Sequence, residues 1–379
     1  MSAARDALQI DPLLADRGVE ILICCGSGGV GKTTTSAALA LRAAEQGRRV
    51  VVLTIDPARR LAQSLGLTEL DNTPREVVGV DTAAGGRLDA MMLDMKRTFD
   101  DVVLAHASSQ KAEQILANPF YQALSTSFSG TQEYMAMEKL GQLHDQARRE
   151  GRWDLIVVDT PPSRSALDFL EAPEHLSRLL DGRMLKMLLA PARGPFKLMS
   201  VGVNLVMGAM DKILGAQVLR DVQTFVTAFD TLFGGFRQRA EKTLTNLSSA
   251  HTRFLVVATP TRDALREAAY FTERLREEKM PLAGVVVNRV HTSTVDLSAD
   301  RAMALAEEVP EKDRPSRLAL HRHAERMRGQ ERERDLVHRF GVANPGVRLA
   351  EIPAQTTDVN DLATLRAVGA ALAADTVAR

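Results

Sequence analysis

The run Gly26-Ser27-Gly28-Gly29-Val30-Gly31-Lys32-Thr33 constrains this chain more than any other feature. It satisfies GxxxxGK[ST], directly follows the apolar run Val19 to Cys25 and leads into the helix-forming stretch SAALALRAAEQ. A phosphate-cradling turn between a buried strand and a helix N-terminus is a feature of one architecture, the P-loop form of the doubly wound α/β sheet. Glycines let backbone N–H groups curl around phosphate oxygens, and the helix adds its partial positive charge. The pattern therefore points to ATP with Mg²⁺. Gly26, Ser27, Gly28, Gly29, Val30, Gly31, Lys32, Thr33 and Thr34 are the expected nucleotide-binding residues, with Lys32 neutralising the β and γ oxygens and the Thr33 hydroxyl offered to Mg²⁺.

The rest of the chain fits that architecture. Seven short apolar runs read as buried parallel strands: Val19 to Cys25, Arg49 to Ile55, Leu88 to Leu93, Trp153 to Asp159, Phe254 to Ala258, Ala283 to Val290 and Val347 to Ile352. Helical segments separate most of them, so the fold class is α/β, a doubly wound, mostly parallel sheet of about seven strands. The 379 residues form one P-loop domain, 1–379, whose 45% hydrophobic content permits a large core. Two stretches, at about 96–151 and 168–250, are too long to be simple crossovers and read as an inserted helical lobe. In the second stretch Met184, Met187, Met199, Met207 and Met210 lie among other apolar residues. Such a surface suits an adaptable client groove, and equally the lobe's own core.

Two acids complete the expected site. Asp56, in Thr54-Ile55-Asp56-Pro57-Ala58, ends the second strand, where it orients or deprotonates the attacking water or caps a helix started by Pro57. Asp159 closes Leu155-Ile156-Val157-Val158-Asp159, four hydrophobes and then an acid, as expected of a carboxylate that helps hold Mg²⁺. The loop Pro161-Pro162-Ser163-Arg164-Ser165 after it suits a segment that responds to the γ-phosphate.

Composition narrows the partners. The 48 basic and 48 acidic side chains cancel, so no global field recruits nucleic acid, and the tail ALAADTVAR is not a basic amphipathic membrane anchor. No apolar run reaches the roughly 18 residues of a spanning helix, and the first residues have no signal-peptide core, so a cytoplasmic protein is expected. Cys24 and Cys25 are adjacent in a strand, form neither an ordinary disulfide nor a CxxC clip, and read as small core residues. Asp313 to Arg339 reads as a solvated, charge-paired helix, with His321 and His323 as surface histidines rather than a metal pair.

GSGGVGKTT, TIDPA, VVDTPPS and VVVNR, in that order and spacing, resemble the ArsA-type anion-transporting ATPases, which include the arsenite-pump and tail-anchored-protein-targeting ATPases. GTQEYMAMEKL at Gly130 to Leu140 and PTRDALREA at Pro260 to Ala268 extend the likeness over nearly the whole chain, closest to the actinobacterial form. The resemblance implies a dimeric ATPase, with Asp56 as the switch residue that activates water, Asp159 as the Mg²⁺-linked acid and Asn288 as a contact to adenine; Asp56 and Lys32 of the glycine loop are thus the expected catalytic residues. It also implies a loop near the base at Ile352-Pro353-Ala354, hence Pro353.

Three departures restrict what it implies. The chain lacks metalloid-binding cysteines and the zinc-binding CxxC; it has Ser27 where the family usually has a lysine that reaches across the dimer; and it has Ser165 where the family has histidine. Ser27 favours a heterodimer with a paralogue bearing KGGxGK[ST] over a homodimer. Two functions remain open: an ATPase that couples nucleotide state to a macromolecular client at the helical lobe or a membrane-linked partner, and a nucleotide-sensing regulatory subunit with little hydrolysis.

Overall fold

Runs of Val, Ile and Leu with no alternation are buried on both faces, and they form the strands of one eight-stranded sheet. In the computed structural model, which describes residues 7–55, 60–119, 121–122, 125, 131–161 and 238–374, the strands are β1 Ile21–Cys25, β2 Arg49–Thr54, β3 Arg75–Glu76, β4 Arg87–Met92, β5 Leu155–Asp159, β6 Thr252–Ala258, β7 Leu282–Val290 and β8 Leu349–Pro353. Their order across the sheet is β3-β4-β2-β5-β1-β6-β7-β8. All neighbours are parallel except β3, which pairs antiparallel with β4 at one edge. The doubly wound α/β class read from the sequence is the class observed, with β3 as the added strand: Arg75 and Glu76 carry no apolar signal, and β4 recruits them through main-chain pairing.

β1 lies at the centre, between β5 and β6, while its sequence neighbour β2 lies beyond β5. Chain connections thus diverge on either side of β1, which opens a crevice at its carboxyl end. A short helix, α1 (Ile10–Ala15), precedes β1, and the helix that follows β1, α2 (Lys32–Glu45), buries Ala37, Ala38, Leu39, Ala40, Leu41, Ala43 and Ala44. Such small side chains bring its axis close to its neighbours. The C-terminal helix Leu362–Ala373 packs against it, with Gly369 over the Ala38 carbonyl, and starts at a capping box between Asp361 and Thr364.

The amino end of the sheet is tied by one buried cation. Arg48 is 1% exposed; its guanidinium donates to Asp154 Oδ1 at 2.6 Å and to the carbonyls of Leu14, Asp16, Val19 and Asp154 at 2.6 to 3.0 Å. A planar fork of five donors is what such a ring of acceptors requires, and lysine could not replace it.

The chain divides into two compact units, Met1–Met92 with Glu150–Ala166 and Leu247–Arg379, and Leu93–Arg149 with Leu167–Asn246. Within the second unit the described residues are helical: Met95–His106, Ser109–Leu116, most of Thr131–Glu150, and 238–246. Phe99 and Tyr121 meet edge to face with centroids 6.0 Å apart, and the Tyr121 hydroxyl donates to Asp100 at 2.7 Å. Arg239 donates from Nε to both carboxylate oxygens of Glu138, at 2.9 and 3.0 Å, and so partners a carboxylate that is 5% exposed. Met184, Met187, Met199, Met207 and Met210 lie outside the described residues, and so does Ser165.

The charged segment forms a helix, Arg314–Ala343, and here the histidine reading is corrected. Ala324 packs against Ala299 and Ala302 of the helix Ala299–Glu308, and this close small-residue contact draws its neighbours inward. His323 Nε2 lies 2.7 Å from the Leu297 carbonyl and His321 Nδ1 lies 3.3 Å from Met303 Sδ. Both imidazoles are half-buried packing groups rather than surface histidines. Among the described residues, no helix is long and apolar enough to cross a membrane.

Candidate active site

The site begins where β1 ends. Gly26 takes φ +144°, and a Cβ there would lie 2.1 Å from the Val257 carbonyl oxygen of β6. Only glycine fits between the two strands. Gly29 at φ +76° and Gly31 at φ +95° carry the chain through two more left-handed turns to the first residue of α2. Such a backbone suits a phosphate cradle, because it leads the N–H groups of a helix's first turn into the loop.

Lys32 is the first residue of α2 and is 7% exposed, yet its ammonium stays inside the loop, donating to the Ser27 carbonyl at 2.9 Å. A buried cation held by a loop carbonyl is poised to exchange that partner for phosphate oxygens. One residue on, Thr33 Oγ1 donates to Asp159 Oδ2 at 2.7 Å. The parallel register places Thr54 beside Asp159 at the last rungs of β2 and β5, and Thr54 Oγ1 donates to the same Oδ2 at 2.9 Å. Asp159 is fully buried at 0% exposure. The structure thus brings Thr33 and Asp159 together across 126 positions of sequence. A hydroxyl and a carboxylate beside a phosphate cradle are the hard oxygen donors Mg²⁺ takes from a protein when phosphates and water supply the rest, so the residues present fit that ion.

The Asn288 carboxamide is 8% exposed and donates from Nδ2 to the Val30 carbonyl at 2.8 Å, while the Arg289 N–H donates to its Oδ1 at 2.9 Å. Pro353 ends β8 beside Val290, with its carbonyl accepting from Gln355 Nε2 at 2.8 Å. Asp56 lies outside the described residues; the preceding Ile55 is anchored by its N–H to the Asp159 carbonyl at 3.0 Å.

Comparison with known proteins agrees with this geometry. The family model described as Anion-transporting ATPase matches residues 19–307. The chain belongs to the anion-transporting ATPase family. Among curated relatives of this family member, ATPase GET3 of Malassezia globosa is 30% identical over 168 residues, 44% of this chain and 46% of that protein. ATPase GET3 of Zygosaccharomyces rouxii is 28% identical over 219 residues, 53% and 61% of the two chains. ATPase ASNA1 homolog 1 of Paramecium tetraurelia is 26% identical over 177 residues, 46% and 50% of the two. The chain spans about half the length of the curated relatives it matches.

In this anion-transporting ATPase family member the two cysteines are buried and free, and burial pushes both thiols up to about 12. They stay protonated at neutral pH, which suits packing and not metal or redox chemistry.

Sequence reasoning missed two contacts. Thr54 was legible only as part of TIDPA, although it and Asp159 each close an apolar run, a signal that two neighbouring strands end level. The Asn288–Val30 tie had no signal. Thr54→Val keeps the shape but removes one donor from a buried carboxylate. The expected result is a rise of about tenfold in the Mg²⁺ concentration needed for half-maximal turnover, since hydrogen bonds to charged groups contribute about 1.5–3 kcal/mol. An unchanged Mg²⁺ titration would show that Thr54 does not position Asp159.

Proposed function

We propose that the chain is a Mg²⁺-dependent ATPase that works as a dimer and couples its nucleotide state to a macromolecular client or a membrane-linked partner, in the cytoplasm. The observation that carries this reading is the convergence of Thr33 and Thr54 on the buried Asp159 carboxylate, one residue from the buried Lys32. Thr33 and Asp159 would hold Mg²⁺, which would supply positive charge to the phosphates during phosphoryl transfer. Thr33 would hold the ion directly and Asp159 through water. Lys32 leaves the Ser27 carbonyl for the β and γ oxygens. Asp56, two residues beyond Thr54, orients and deprotonates the attacking water. Asn288 and Pro353 border the base, at the level carboxyl ends of β7 and β8.

The chain acts as a single P-loop ATPase domain carrying an inserted helical lobe, and the lobe is where a protein client binds. Opening and closing of the dimer with nucleotide changes the lobe's surface and so loads or releases the client. Ser27 supports a second reading, a nucleotide-sensing subunit with little hydrolysis of its own, because this position has no cation to offer a partner.

The test is Asp56→Asn. An amide keeps the shape of the side chain but cannot accept a proton from water. ATP affinity should stay within a few-fold while turnover falls by about 10² or more, in the range general-base catalysis supplies. Turnover equal to wild type, measured by phosphate release, would remove Asp56 from catalysis.

A further inference from the structure

We propose that Asn288, besides bordering the base, is a positioning residue for the phosphate loop and so sets affinity for the phosphate chain itself. The inference rests on the reading of Gly26 to Thr34 as a nucleotide-binding loop. Both ends of the buried carboxamide are held by main chain: Nδ2 donates to the Val30 carbonyl at 2.8 Å, and Oδ1 accepts from the Arg289 N–H at 2.9 Å. This pairing fixes which end faces the loop. The flipped amide would set oxygen against oxygen at Val30 and N–H against N–H at Arg289.

The sheet departs from regular pairing at this point. The β7–β8 register slips between Asn288 and Val290, and Arg289 between them is left-handed at φ +63°. A bulge with a non-glycine residue in that region is costly and re-aims the side chain beside it. Here the re-aimed side chain is the one that reaches the loop. On the loop side the fit is equally specific, because a Cβ at residue 31 would lie 2.2 Å from Asn288 Nδ2. The glycine at 31 is thus needed for its φ and also for the amide's room.

Peptide geometry links this contact to the ligand. The Val30–Gly31 peptide is trans, as are all the peptides described, so its N–H points opposite to its C=O. Drawing the Val30 carbonyl toward Asn288 aims the Gly31 N–H the other way, among the backbone donors at the start of α2 that receive phosphate oxygens. Without the tie, that donor must be ordered when the ligand binds, and affinity falls for any phosphate chain.

The experiment measures binding of ATP, GTP and inorganic tripolyphosphate to the full chain by calorimetry, in wild type, Asn288→Ala and Asn288→Asp, with amide hydrogen exchange of residues 26–32 in the nucleotide-free proteins. Asn288→Ala should weaken all three ligands, base-free tripolyphosphate included, by at least about five- to tenfold, the worth of one hydrogen bond. Exchange across the loop should quicken. Asn288→Asp keeps the size and the acceptor for Arg289 but sets a carboxylate oxygen against Val30, so it should lose at least as much, again with tripolyphosphate included. A loss confined to ATP would show that Asn288 reads the base and would overturn the inference, as would unchanged affinity with unchanged exchange. Wild type that binds none of the three would instead remove the nucleotide reading itself, and the inference with it.

Discussion

Lys32→Ala should lose ATP affinity by about 10² to 10³, the largest binding effect expected of any single change in this chain, given the 2–5 kcal/mol that truncating one partner of a buried charge pair costs. Lys32 is 7% exposed and donates to the Ser27 carbonyl, so its ammonium already occupies the interior of the loop before any ligand arrives. Exchanging a neutral carbonyl for phosphate oxygens strengthens that bond, because both partners are then charged. Alanine leaves the phosphates with backbone N–H groups and the partial charge of the α2 N-terminus, which contribute far less. Calorimetry gives the affinity, and a thermal melt shows that the variant is folded. Unchanged affinity in a folded variant would remove the nucleotide assignment.

The second large effect concerns the proposed partner subunit. Purified alone, the chain should bind ATP and turn over slowly, and a paralogue bearing KGGxGK[ST] should raise the rate by about 10³ to 10⁵, the range supplied by a cation delivered in trans to a transferring phosphoryl group. Ser27 is half-buried at the start of the loop and uncharged, and its carbonyl is the acceptor for Lys32. Charge develops on the γ-phosphoryl oxygens as it transfers, and preorganised cations stabilise that charge without reorganising at the moment of reaction. In a homodimer both sites would lack this contribution. In a heterodimer the paralogue's lysine would complete the site bound by this chain.

Phosphate release is measured while the candidate partner is titrated against the chain, then repeated with the partner's signature lysine changed to alanine, and separately with Ser27→Lys in this chain alone. Ser27→Lys should restore turnover to the homodimer. Full activity of the isolated wild-type chain would refute the heterodimer, and so would a lysine-to-alanine partner that stimulates as well as the original.

Much of this architecture is legible in the sequence for a local reason. A strand buried on both faces is a continuous apolar run, and a phosphate loop is a contiguous set of glycines between such a run and a helix. That is why β1, β2, β4, β5, β6, β7 and β8 match the apolar runs to within a few residues at their ends. Thr33 and Asp159 could likewise be named as partners because the loop leading to Thr33 leaves the carboxyl end of β1 and Asp159 closes β5, and parallel strands bring those ends to one edge.

What only the tertiary structure decided are the contacts set by strand order and by departures from regular pairing. Nothing in periodicity says that β5 enters between β1 and β2, yet that insertion places Thr54 on Asp159. β3 exists only because β4 offers it a main-chain edge, and its two polar residues carry no hydrophobic signal. His321 and His323 turn inward because alanines on two helices let the backbones approach, a property of the pair that neither helix shows alone. Asn288 reaches Val30 through a left-handed Arg289 and a slipped register, across 258 positions of chain. Residues that share no local segment meet only when the sheet closes around them, so the glycine loop itself was local information and the bonds that hold it in shape were not.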